Sequence, residues 1–198
     1  LGAVLTGDKR DLGDGPPVMA MIVQNTNPMM VCPNTNLVRQ GMSRGFGQPV
    51  QFVFAGKAHP QDNTAKTILQ ELMSINHDSN WQRRAVFIED YDQEVARYLV
   101  HGVDVWMNVP RRPHEASGTS GMKAAMNGAL NFSILDGWWI EGYNGRNGFK
   151  IGELPAGEDD EATDAADAAA LYEALENEVI PRYYERGQNG LPTAWIAM

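Results

Sequence analysis

Pro110-Arg111-Arg112-Pro113-His114-Glu115-Ala116-Ser117-Gly118-Thr119-Ser120-Gly121-Met122-Lys123-Ala124-Ala125-Met126-Asn127-Gly128 stands between two short apolar runs, Val103 to Met107 and Ala129 to Leu135. Each run is short enough for a buried strand, and the segment between them passes from small residues into an apolar, helix-capable stretch. Strand, glycine-rich loop, helix and strand in that order make a parallel crossover, which needs a sheet with helices laid over it. A Gly/Ser/Thr run opening a helix also leaves backbone N–H groups free at the positive end of the helix dipole. An anion site is therefore expected where this helix begins.

The same alternation continues outward. Val18 to Gln24 reads as a strand closed by the turn Asn25-Thr26-Asn27-Pro28, followed by a short helix capped by Asn34 and ending near Gly45. Val50 to Ala55 is a second strand, and a helix from Gln61 to Ile75 carries Ala65, Ile68, Leu69 and Leu72 on one face. Ala85 to Ile88 is a third strand and Gln93 to His101 a helix. The pattern predicts an α/β fold: a Rossmann-like parallel sheet with helices on both faces and ligand loops at the carboxyl ends of the strands. Residues 1 to 17 read as loop, and there is no internal repeat. Asp136-Gly137-Trp138-Trp139 and Gly142 to Gly148 read as an aromatic, glycine-rich loop, and Glu158 to Asp167 as an acidic stretch with no core-forming face. Both are expected to be mobile unless held. From Ala168, Leu171, Leu175 and Val179 mark an amphipathic helix running towards Arg186, which Pro181 kinks or ends.

Composition narrows the function. The chain has 198 residues, 43% hydrophobic and 21% charged, with a net charge of −9, which suits a globular domain and disfavours a nucleic-acid or anionic-membrane surface. Its tight basic pairs are Arg83-Arg84 and Arg111-Arg112, so any anion is bound locally. One cysteine, Cys32, permits no internal disulfide, and no Cys/His cluster has metal-ligand spacing. No metal, no membrane span and a reducing, cytoplasmic compartment are expected. The absence of an initiating Met suggests a piece of a longer chain.

Within the central stretch Lys123 admits three readings: a solvated helix lysine, a counter-charge for phosphate, or an amine that condenses with an aldehyde. Its flanking Met122, Ala124, Ala125 and Met126 favour a desolvated amine over a solvent-facing one. Glu115 reads either as a helix-entry acid or as a carboxylate accepting hydrogen bonds from the hydroxyls of a sugar-like ligand. Tyr91, in Glu89-Asp90-Tyr91-Asp92 at a strand end, is either a partly buried aromatic or a ligand contact. His59, His77 and His101 are scattered and read as structural.

Several segments together carry a family resemblance. Gln51-Phe52-Val53-Phe54-Ala55-Gly56-Lys57-Ala58-His59-Pro60, Glu89-Asp90-Tyr91-Asp92, Gly102-Val103-Asp104-Val105-Trp106, the central stretch, Leu135-Asp136-Gly137-Trp138-Trp139, Gly190-Leu191-Pro192 and Trp195-Ile196-Ala197-Met198 resemble the α-glucan (glycogen/starch/maltodextrin) phosphorylases in their shorter prokaryotic form. The resemblance implies, over residues 49–198, an incomplete carboxyl-terminal domain of a GT-B glycosyltransferase. It implies that Lys123 carries pyridoxal 5′-phosphate covalently, with the cofactor's phosphate against Thr119, Ser120 and Gly121 and with Tyr91 nearby. Glu115, Ala116, Ser117 and Gly118 match the family's glucose-binding positions, and Lys123 and Glu115 are the residues on which catalysis centres. The implied ligands are α-glucan, inorganic phosphate and glucose 1-phosphate, and the family's habit of association leaves a homo-oligomer open. Animal and plant members read Gly-Thr-Gly-Asn-Met-Lys where this chain has Gly118-Thr119-Ser120-Gly121-Met122-Lys123, so the phosphate contacts at Ser120 and Gly121 are expected to differ. The family's upstream phosphate-binding arginine and lysine have no counterpart here, which implies weak turnover or none. Residues 1–45 instead resemble an internal piece of a molybdopterin-dependent oxidoreductase, through Val18 to Gln24 with Gln24-Asn25-Thr26-Asn27-Pro28 and Val31-Cys32-Pro33-Asn34 to Gly41. Two further functions therefore stand beside glucan phosphorolysis: a non-catalytic cofactor- or sugar-binding domain, and a pterin-binding oxidoreductase module.

Overall fold

Six β-branched, aromatic or aliphatic segments form one sheet, all neighbours parallel: β1 (Met19–Gln24), β2 (Val50–Ala55), β3 (Ala85–Ile88), β4 (Val105–Asn108), β5 (Leu130–Ile134) and β6 (Gly148–Ile151). The computed structural model describes residues 19–24, 50–75, 77, 84–153 and 160–198. The expected loop over 1–17, the helix capped by Asn34 and the stretch from Gly45 to Pro49 lie outside the described residues. Strand order is β3-β2-β1-β4-β5-β6, the doubly wound order in which β1 is central and the direction of winding reverses beside it. The strand of the amino-terminal segment thus pairs with β2 on one side and β4 on the other.

Register makes the two faces chemically different. Phe87, Phe54, Val23, Met107, Phe132 and Phe149 fall in one row across the sheet, and this apolar face packs under α1 (Asn63–Ile75) through Leu72 and its neighbours Ile68 and Leu69. On the other face the last row is Ile88, Ala55, Gln24, Asn108, Ser133 and Lys150. That face is covered by α2 (Gln93–Gly102) through Leu99 and by α3 (Thr119–Met126) through Ala124, which meet Val53, Ala55 and Trp106. Buried Asn108, Asn131 and Ser133 all belong to this second face, so polar groups gather under α3. Full burial of each large side chain, such as Phe132 or Leu99, contributes about 2 kcal/mol.

Two expectations are corrected and a third is narrowed. The aromatic, glycine-rich segment is not a loop throughout: it forms a short helix α4 (Trp139–Gly142), a turn in which Asn147 accepts from Asn144 N–H, and then β6 at the sheet edge. Trp139 drives this, being fully buried, with Nε1–H donating to Phe149 O at 3.3 Å. Four residues containing Gly148 and Lys150 carry too weak an alternation to stand out by pattern.

The acidic stretch, in turn, is helical from Asp160 onward, within α5 (Asp160–Ala174). Its Asp164 and Asp167 are not solvated charges, because they pair with Arg111 and Arg112. Finally, of the two outcomes expected at Pro181, a kink or an end, the end does not occur: a π turn, Leu175–Val179, runs straight into α6 (Ile180–Tyr184), whose second residue is Pro181, so the residue without an N–H falls directly after a widened stretch of the ladder. Leu175, Val179 and Ile180 bury against the same apolar face as α1, and a terminal helix α7 (Thr193–Ile196) stacks Trp195 on Phe149 and Tyr183.

Candidate active site

The crevice of a doubly wound sheet lies outside the carboxyl ends of the strands where winding reverses, here between β1 and β4. The chain that leaves β4 runs from Val109 into the glycine-rich loop and α3, so the predicted site residues emerge at that point. Two arginines fix the start of the run. Arg111 Nε donates to Asp164 Oδ1 at 3.0 Å and its Nη2 to Asp164 Oδ2. Arg112 Nη2 lies 2.6 and 2.7 Å from the two oxygens of Asp167, with Nη1 donating to Glu153 O at 3.0 Å. Burial pushes the Asp167 carboxyl above its ordinary range, against the opposing pull of Arg112.

Glu115 begins the functional run and is half-buried. Its N–H donates to Asp136 Oδ2 at 2.9 Å, and Asp136 Oδ1 accepts from Gly137 N–H at 2.9 Å. Two residues on, Ser117 O accepts from Trp138 N–H at 2.8 Å. The turn after β5 therefore holds the loop after β4 by two hydrogen bonds to its backbone, at Glu115 N–H and Ser117 O, while the bond from Gly137 N–H fixes the Asp136 carboxylate within its own turn. Ala116 and Ser117 are exposed beside it.

Gly118 occupies the N-cap of α3 with φ +83°, a left-handed conformation suited to glycine, and a Cβ there would meet Trp138 Cδ1 at 2.9 Å. No side chain caps this helix, which leaves its first-turn N–H groups without a capping acceptor. Ser120 Oγ is buried without a hydrogen-bond partner. Gly121 is buried under β5: Asn131 Nδ2 donates to Gly121 O at 3.1 Å, and a Cβ would sit 2.5 Å from Asn131 Oδ1 and 3.1 Å from Trp138 Nε1. A larger residue cannot stand at 121 beside this Asn131 and Trp138.

Lys123 is exposed, with its amine free of the apolar enclosure that its neighbours suggested. The reason is helical geometry: Ala124 points to the sheet at 0% exposure, and this turns Met126, 86% exposed, and Lys123 outward. Thr119 is also exposed. Tyr91 follows the left-handed Asp90 (φ 52°) at the carboxyl end of β3, three strands along from β4. It packs against the cluster that includes Ala124, which puts it on the α3 face of the sheet but not in the loop with Glu115. Burial raises its phenol.

Glu115 to Lys123 thus come together on one continuous loop and helix, while Tyr91 approaches from across the sheet. Sequence reading missed the residues that hold the loop: Asp136, Trp138 and Asn131. An Asp-Gly pair directly after a strand and an Asn inside an apolar strand were the available signals. Among the described residues no cluster of His, Cys, Asp or Glu could hold a metal ion, and no helix is long and apolar enough to cross a membrane.

Residues 24–152 match the carbohydrate phosphorylase family, from the last residue of β1 to just beyond β6. The chain is similar to a glycogen phosphorylase of Aquifex aeolicus, 55% identical over 151 residues, which is 76% of this chain and 21% of that protein. It is also similar to a maltodextrin phosphorylase of Thermococcus litoralis, 51% identical over 138 residues, 70% of this chain and 17% of that protein. A glycogen phosphorylase of Mycobacterium bovis is 44% identical over 151 residues, 76% of this chain and 18% of that protein. The chain spans about a fifth of the length of these relatives. With the family matched over most of the described sheet and over the whole glycine-rich loop, the chain belongs to the carbohydrate phosphorylases.

Proposed function

We propose that this chain is the cofactor-bearing part of a pyridoxal-phosphate-dependent α-1,4-glucan phosphorylase, which cleaves glucan with inorganic phosphate to give glucose 1-phosphate. One observation supports this most: an exposed lysine, Lys123, stands one turn beyond a helix start whose N–H groups have no side-chain cap. The residues fit the cofactor. Ser120 Oγ, buried and without a partner, and the backbone N–H groups of Thr119, Ser120 and Gly121 suit a phosphate, and the amine of Lys123 suits an aldehyde. Pyridoxal phosphate, when bound, supplies a phosphate group that can relay a proton beside inorganic phosphate.

The chain's own residues hold the sugar. The Glu115 carboxylate accepts hydrogen bonds from glucose hydroxyls, and the N–H groups of Ala116, Ser117 and Gly118 donate to sugar oxygens. Tyr91 closes the cofactor side from the end of β3. The test is glucose 1-phosphate release from a maltodextrin and inorganic phosphate, abolished in Lys123→Ala.

A second reading, binding without turnover, draws on the arginines. Arg111 and Arg112 are engaged by Asp164 and Asp167, which leaves them unsuited to neutralising a second phosphate, and losing such a counter-charge costs about 3 kcal/mol of barrier in comparable sites. Cofactor uptake with no glucose 1-phosphate would establish this reading.

A further inference from the structure

We infer that Asp136 is the positioning residue of the sugar site, acting through the backbone of the loop that carries Glu115; this rests on the proposed role of Glu115 to Gly118. Asp136 is not among the residues assigned to contact with sugar or cofactor. It is 6% exposed, at the end of β5, the strand next to β4. Its two carboxylate oxygens are divided between the two loops: Oδ2 takes Glu115 N–H and Oδ1 takes Gly137 N–H, both at 2.9 Å. One rigid acid therefore sets where the Cα of Glu115 stands, and so where its side chain starts.

Gly137 completes the clamp. It has φ +53°, and a Cβ on it would lie 2.8 Å from Ser117 O and 2.9 Å from Glu115 Cγ. The turn after β5 thus lies flat against the backbone of Ser117 and the stem of Glu115, and Trp138 N–H secures Ser117 O at 2.8 Å. Hydrogen bonds from half-buried N–H groups to a carboxylate are charge-assisted and directional, which is what holding a loop of small residues at fixed distance from a ligand requires. Lys123 lies beyond this clamp, on a helix that lies close to Trp138 at Gly118 and Gly121 but has two anchors independent of Asp136, the burial of Ala124 and the bond from Asn131 to Gly121 O. The clamp should therefore govern sugar affinity and leave cofactor loading alone.

Asp136→Asn keeps shape and removes the charge, turning one acceptor into a donor that faces an N–H. The wild-type chain and this variant are compared by three measurements: uptake of pyridoxal phosphate from its absorbance, affinity for glucose 1-phosphate by calorimetric titration, and amide hydrogen exchange of residues 114–120 and 135–138. The expected result is unchanged cofactor uptake, at least a tenfold loss of glucose 1-phosphate affinity, and at least tenfold faster exchange at Glu115 and Gly137. Gly137→Ala, which pushes on Ser117 from the opposite side, is expected to reproduce the same split if Asp136→Asn folds poorly. Unchanged exchange, or faster exchange with unchanged sugar affinity, overturns the inference, as does equal loss of cofactor and sugar. A wild-type chain that takes up neither ligand overturns the proposed function instead, and the exchange rates then decide the clamp by themselves.

Discussion

Arg112 meets Asp167 through one nitrogen, Nη2, which lies 2.6 and 2.7 Å from the two carboxylate oxygens, and the side chains are only 5% and 14% exposed. The pair joins the loop after β4 to α5, an element 55 residues later in the chain. Removing one partner leaves the other charged and buried, which costs about 3 kcal/mol. Arg112→Ala is expected to lower unfolding stability by that amount in urea titrations, and Arg112→Ala with Asp167→Ala to cost less than the sum of the two single changes. Strict additivity would show that the pair does not couple the elements.

The same pair illustrates what the sequence could and could not disclose. Val50 to Ala55, Val105 to Asn108 and Leu130 to Ile134 were legible because buried parallel strands are continuous apolar runs, and Leu72 and Leu99 because they recur at helical spacing. The passage from loop to helix between Glu115 and Lys123 was legible because glycine and small residues before a helix have a local physical meaning. Asp164 and Asp167 were not legible as partners of Arg111 and Arg112, since nothing local tells a solvated acid from one that the fold delivers to a distant arginine. The exposure of Lys123 and the grip of Asp136 on Glu115 are likewise products of tertiary packing, set by which way Ala124 and Gly137 face.

Gly121 should be irreplaceable in this setting. A methyl group there would stand 2.5 Å from Asn131 Oδ1, an atom of a side chain that is 2% exposed and tied to Gly121 O. Gly121→Ala is expected to destabilise by about 2 kcal/mol through overpacking, and Asn131→Ala introduced with it should recover part of the loss. Thermal melts of the single and double variants would check this; a neutral Gly121→Ala would mean that α3 can slide off β5.

Alkaline pH should weaken the fold. Burial raises the phenols of Tyr91 and Tyr183, and for Tyr183 the nearby Asp104 adds to the shift. A group whose folded pKa lies above its unfolded value contributes stability that is complete below the unfolded pKa, about 10 for tyrosine, and that is lost as pH rises towards the folded one. Urea midpoints are therefore expected to hold level up to about pH 9 and to fall above pH 10. Tyr183→Phe should flatten the fall. Tyrosinate absorbance appearing near pH 10 for every tyrosine in the folded chain, with no fall in the midpoint, would contradict the assignment.

The central claim is that Lys123 is the covalent seat of pyridoxal phosphate. Reducing the chain with borohydride in the presence of the cofactor, digesting it and locating the added mass by peptide mass spectrometry tests that claim at a single residue. The account predicts one stoichiometric adduct, on the peptide containing Lys123, and none in Lys123→Ala; an adduct spread over exposed lysines such as Lys57 and Lys66, or no adduct, would contradict it.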